Sequence, residues 1–249
     1  MADVPAVSVT VLTDPYCPWS WAAEPQLRRL QVEFGAALDY TFVIVGLQRD
    51  AVSLAYDVVE AAAESGMPAD ARVFLRDPPA STHPAGLAIT AVAEQGDPGP
   101  YIRRVREAIL LERRRMDTAP ALLDAAREVG GLDLDRLRID FGSNAIVERF
   151  GADIERGRGV STPAIVFGDG EPVPPERWRE AALSAGAEPT NGLPGIEDAL
   201  RRFGPMATPE VAAVCGLPGP RAPAELWRLA LEWRVRPRRV VGGELWELA

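Results

Sequence analysis

The sequence predicts an α/β protein carrying a helical insertion and a small C-terminal α+β module. Three observations carry that reading. The chain opens strand–helix–strand, continues through an alanine- and arginine-rich helical block over about residues 51–157, and returns to a short strand followed by a helix. Residues 205–249 then read as helix, turn, helix and β-hairpin.

Each element has a local cause. Val7 to Leu12, VSVTVL, alternates and is β-branched, which favours a strand. In Glu24 to Phe34, Leu27, Leu30 and Phe34 recur at helical spacing, and Gly35 supplies a stop. Leu38 to Gly46, LDYTFVIVG, is a second strand. Between strand and helix stands DPYCPWSW, which places Cys17 at their junction. In the helical block, Ala85 to Gln95, Tyr101 to Arg114, Ala119 to Val129 and Ala145 to Arg156 read as helices. Ile102, Val105, Ile109 and Leu110 form an apolar stripe on the second, and its arginines are expected on a solvated face beside glutamates. Ala164 to Phe167 reads as a strand, Gly168-Asp169-Gly170 as a hairpin turn into a further strand, and Pro175 to Ala185 as a helix.

Composition excludes several classes. The 249 residues carry a net charge of −9, from 36 acids against 27 bases that are all arginine. That balance argues against general nucleic-acid binding, which needs a basic face. The N-terminus lacks a basic leader, no apolar run reaches a membrane span, and a cytoplasmic location is expected, where thiols stay reduced. A single histidine, His83, cannot build a typical metal site, so no metal is expected and His83 is given a surface or helix-capping role.

CPWS at the first strand–helix junction and Val160-Ser161-Thr162-Pro163 before a late strand stand in order, more than a hundred residues apart. Together they resemble the thioredoxin fold in its DsbA-like form, with a helical domain inserted after the second strand. DPYCPWSWAAEPQLRRLQVEFG is most similar to the branch that includes the bacterial adaptor for degradation of the regulator Spx, alongside DsbA-like dithiol oxidoreductases. The resemblance implies a thioredoxin-like domain over 1–189, a cis Pro163 packed against the active cysteine, and a backbone at Thr162 that pairs with extended substrate. Those relatives usually carry Cys-x-x-Cys. Here the second position is Ser20.

A thiol at a helix start meets the positive end of the helix dipole and unpaired N–H groups, both of which favour thiolate. Cys17 is therefore the candidate nucleophile, with Ser20 one turn on as a donor to the thiolate. Pro18, Trp19, Thr162 and Pro163 are expected to shape the substrate site, while Trp19 and Trp21 divide between groove and core. Ser20 cannot close a disulfide, so a mixed disulfide must be resolved by an external, glutathione-type thiol acting as co-substrate, with no bound cofactor. Two alternatives stand beside this monothiol oxidoreductase: a noncatalytic protein-binding adaptor, and a glutathione-type transferase or isomerase. Cys215, in VAAVCGLP, is expected as a buried structural residue.

Residues 190–249 read as a linker helix and a module resembling a winged helix, with helices over Thr208 to Gly216 and Pro223 to Trp233 and a hairpin about Gly242-Gly243. From residue 205 on, six arginines face five glutamates, a balance that disfavours DNA binding, although four of the arginines cluster between 234 and 239 at the start of the hairpin and leave a phosphate contact open. Trp227, Trp233 and Trp246 point to docking, against the main domain or a protein partner.

Overall fold

Strand β1 (Val7–Thr13) is the axis of the fold. The computed structural model describes residues 6–46 and 50–249, so the first five residues read above for a leader lie outside the described residues. After β1 come two helices, α1 (Pro18–Ala22) and α2 (Glu24–Glu33), and then strand β2 (Leu38–Ile44). The sequence suggested one helix here. Pro25 lacks the N–H that would bond the Trp21 carbonyl, and the chain breaks at Ala23.

The insertion is wholly helical in its regular elements: α3 (Ala51–Ser65), α4 (Arg72–Arg76), α5 (His83–Ala93), α6 (Gly99–Leu110), α7 (Ala119–Val129), α8 (Leu134–Asp140) and α9 (Asn144–Arg156). Strand β3 (Ala164–Phe167) and helix α10 (Trp178–Ser184) close the domain. The sheet order is β2-β1-β3, with β1 parallel to β2 from Val7↔Leu38 to Thr13↔Ile44 and antiparallel to β3 from Val9↔Phe167 to Leu12↔Ala164. One face packs Val9, Val11 and Ile165 on Leu27 and Leu30 of α2, on Phe34 at its C-cap and on Trp178 of α10. The strand expected after the Gly168 turn is reduced to one bridge, Ile165↔Val173. Pro172 and Pro174 flank Val173 and cannot donate, so the ladder stops there.

The C-terminal module comprises α11 (Ile196–Phe203), β4 (Met206–Ala207), α12 (Thr208–Val214), α13 (Arg221–Leu231), β5 (Val235–Val240) and β6 (Gly243–Leu248), with antiparallel sheet order β4-β6-β5. Its own core of Met206, Val211, Leu226 and Trp246 takes in Val32 of α2, while Ala207 and Leu245 join the core of the insertion. The module is therefore docked on the main domain. Among the described residues no helix is long and apolar enough to cross a membrane.

A buried ion network ties these parts together. Glu210 of α12 is fully buried and accepts from Arg103 Nη1 at 2.8 Å and Nη2 at 3.1 Å, and from the Ala207 N–H at 2.7 Å. Arg28 of α2 adds an ion pair to Glu210 at 3.2 Å. The Arg103 guanidinium lies 4.2 Å over the Trp21 ring of α1, a desolvated cation–π contact of about 2 kcal/mol. Arg106 bonds Glu24 and the Thr13 hydroxyl, which in turn donates to Ser20 Oγ at 2.9 Å. The solvated face expected for the α6 arginines is thus corrected. Arg103 and Arg106 are buried because carboxylates from α12 and α2 meet them there.

Two outcomes follow from this network. Removing one partner of a buried ion pair strands the other, so Glu210→Ala is expected to lower the unfolding free energy in urea by about 3 kcal/mol or more, with Glu210→Gln losing less. Burial alone would raise the Glu24 carboxyl, but Arg106, Arg103 and Arg28 outweigh it and hold it below the ordinary range. A lowered carboxyl contributes stability that is complete above its unfolded value, about 4.3, and lost as pH falls through the folded value. The urea midpoint is expected to drop below about pH 4, less steeply in Glu24→Gln.

Candidate active site

The turn that presents Cys17 is built by Asp14. Its Oδ1 accepts the Tyr16 N–H at 2.8 Å, and its carbonyl accepts the Cys17 N–H at 3.2 Å. Cys17 is the N-cap of α1, with extended backbone (φ −73°, ψ 114°) and Pro18 at the first helical position, where a missing N–H costs nothing. Its carbonyl accepts the Trp21 N–H at 3.3 Å.

Across the site lies the loop before β3. The Cys17 sulfur donates to the Thr162 carbonyl at 3.6 Å and accepts from the Thr162 hydroxyl at 3.5 Å, across 145 positions of sequence. The Thr162–Pro163 peptide is cis, and Pro163 leads directly into β3. Although Cys17 is only 4% exposed, it lines an open cleft of about 570 Å³ together with Pro18, Trp19, Asp57, Arg158 and Thr162. The sulfur is not sealed in hydrocarbon.

Other residues singled out in the sequence lie as follows. Ser20 is buried, and its hydroxyl accepts from Thr13; among the described residues both hydrogen-bond partners of the Cys17 sulfur belong to Thr162, and neither comes from Ser20. Trp19 lines the cleft, whereas Trp21 is core and donates through Nε1 to the Pro68 carbonyl at 2.9 Å. Cys215 ends α12, packs in the C-terminal cluster and lies outside the cleft lining; burial pushes its thiol up to about 11. His83 begins α5 without capping it, since Thr82 holds the N-cap, and its ring meets the edge of Phe150. Among the described residues no cluster of three or more His, Cys, Asp or Glu could hold a metal.

Sequence reasoning missed part of the wall. Gly157, Arg158 and Gly159 line the cleft in the loop leading to Thr162, so their adjacency to that residue was the available signal. A Cβ at Gly157 would stand 2.2 Å from Val45 Cγ1, so only glycine fits that close approach. Asp57 reaches the cleft from α3 and left no sequence signal.

A helix-capping cysteine hydrogen-bonded to the threonine that precedes a cis-proline in a distant loop has the layout of a thiol site of the thioredoxin fold, although Pro163 itself is not among the residues that line the cleft. The chain belongs to the thioredoxin family, whose profile matches residues 11–171. It is 24% identical over 268 residues to the ClpXP adapter protein SpxH of Bacillus subtilis (strain 168), covering 97% of this chain and 89% of that protein. SpxH of Halalkalibacterium halodurans is 27% identical over 179 residues, covering 65% of this chain and 58% of the relative's length. Among solved structures, the cytosolic disulfide reductase DsbM from Pseudomonas aeruginosa, determined also with GSH, superposes with a TM-score of 0.57 at 22% identity, covering 71% of this chain and 97% of that one.

The two cysteines are expected to separate in a brief alkylation of native protein at neutral pH. Intact-mass and peptide analysis should place the first adduct on Cys17 and leave Cys215 unmodified until the chain is unfolded.

Proposed function

We propose that this protein is a cytoplasmic thiol–disulfide oxidoreductase working through one nucleophile, Cys17. The observation that carries the reading is the sulfur at the N-terminus of α1, lining an open cleft and hydrogen-bonded on both counts to Thr162. The Cys17 thiolate attacks one sulfur of a substrate disulfide, forms a mixed disulfide and expels the other sulfur as thiolate. An external glutathione-type thiolate then attacks the substrate sulfur, carries it away as a new mixed disulfide and returns Cys17 as thiolate. The Thr162 hydroxyl donates to the Cys17 sulfur, the attacking thiolate of the first step and the one expelled in the second. Its backbone is proposed to pair with extended substrate, with Pro18, Trp19 and Pro163 shaping the groove.

Turnover on a peptide–glutathione mixed disulfide, with glutathione as reductant, tests this. Wild type is expected to exceed the uncatalysed exchange, Cys17→Ala to fall to that background, and Cys215→Ala to remain active. Ser20→Cys is expected to close an internal disulfide with Cys17 and so release trapped substrate without added thiol. Wild-type turnover no faster than buffer with glutathione would sink the catalytic reading.

A second reading, a protein-binding adaptor, is favoured by one finding: the match to the B. subtilis SpxH adapter extends over 97% of this chain, C-terminal module included. The element order of that module and its β4-β6-β5 sheet support a winged-helix-like unit over residues 190–249, beside a thioredoxin-like domain over 1–189. A protein partner bound with unchanged affinity by Cys17→Ala would make the thiol incidental to recruitment.

A further inference from the structure

A second cavity, of about 720 Å³, opens between α2, α6 and the end of α11 and shares no lining residue with the thiol cleft. Five arginines line it: Arg28, Arg103, Arg104, Arg106 and Arg202. Its acidic residues are already engaged. Glu24 is bonded by Arg106, Glu107 by Arg103 at 2.8 Å, Glu128 by Arg104 and Arg114, and Asp97 accepts the Gly99 N–H at 2.8 Å.

What remains is an excess of donors. Arg28 Nη1, Arg104 Nη1, Arg106 Nε and the Tyr40 hydroxyl are buried without a hydrogen-bond partner. Arg28 Nη1 does lie 3.2 Å from Glu210 Oε1 and Arg104 Nη1 3.7 Å from Glu107 Oε2, ion pairs that leave the hydrogen bonds unmade. Arg28 and Arg106 are 4% and 2% exposed, where an unsatisfied charged donor costs most. Burial, with Arg103 nearby, holds Arg28 below the ordinary arginine range against the pull of Glu210, Glu24 and Glu107. Burial raises Tyr40, which keeps its hydroxyl a donor. At the rim, exposed Arg202 stacks 5.2 Å from the Phe203 ring and donates to the Gln31 carbonyl.

We propose that this cavity binds a small molecule bearing a phosphate or carboxylate group, whose oxygens accept from these donors while its apolar part lies on Leu27, Phe42 and Phe203. The inference is independent of the chemistry at Cys17. It is tested by calorimetric titration of the full chain, at fixed ionic strength, with inorganic phosphate, phenyl phosphate and benzoate. Saturable one-site binding of at least one probe is expected, and the tighter of phenyl phosphate and benzoate identifies the oxyanion. Arg202→Met and Tyr40→Phe should each weaken that binding by about ten-fold, the loss of one hydrogen bond to a charged group. Neither substitution breaks a buried bonded pair, so the ligand-free urea midpoint should hold. No saturable heat with any probe, or undiminished affinity in either variant, would leave the cavity to water and overturn the proposal.

Discussion

The buried Glu210 carboxylate is the constraint on which the arrangement depends. Taking a carboxylate and two guanidinium groups out of water costs several kcal/mol per ion, which only close geometry and full hydrogen bonding offset. Glu210 meets that demand with a bidentate Arg103, a second arginine from α2 and the N–H of Ala207 at the start of its own helix. Three separate parts of the chain must therefore converge within hydrogen-bond tolerance. The C-terminal module is docked by charge as well as by the apolar contacts of Val32, Ala207 and Leu245.

From there the constraint runs to the thiol. Arg103 is stacked on Trp21, and Arg106 reaches the Thr13 hydroxyl, which in turn bonds Ser20; both aromatic ring and serine belong to the helix that Cys17 caps. Serine at this position thus has a structural part to play. Its hydroxyl is an acceptor in a buried chain of oxygens, a role that a thiol fills weakly. The departure from Cys-x-x-Cys leaves Cys17 without a second thiol in its motif, while the serine knits the helix to β1 and α6. The sulfur itself is held by Thr162 from the opposite side.

Much of this was legible in the sequence because the causes are local. VSVTVL gave β1 through alternation, AIVF gave β3 residue for residue, and α7 runs from Ala119 to Val129 as its alanine-rich composition implied. CPWS and Thr162-Pro163 could be paired only through a family likeness, since nothing local brings them together. What escaped notice depends on distant partners. Arg103 and Arg106 look like surface arginines until Glu210 and Glu24 are placed beside them. Asp57 joins the cleft because α3 packs near α1, and the hairpin after Gly168 shrank to one bridge through the prolines around Val173.

On the proposed reading, a single buried sulfur at the wall of an open cleft, set between a helix start and a threonine, carries out covalent exchange. The most direct measurement is intact-mass analysis of the pure, reduced protein after brief exposure to an asymmetric disulfide, with no other thiol present. One adduct is expected, located at Cys17, that persists until an external thiol is added. An unmodified chain, or an adduct on Cys215 in its place, would contradict that reading.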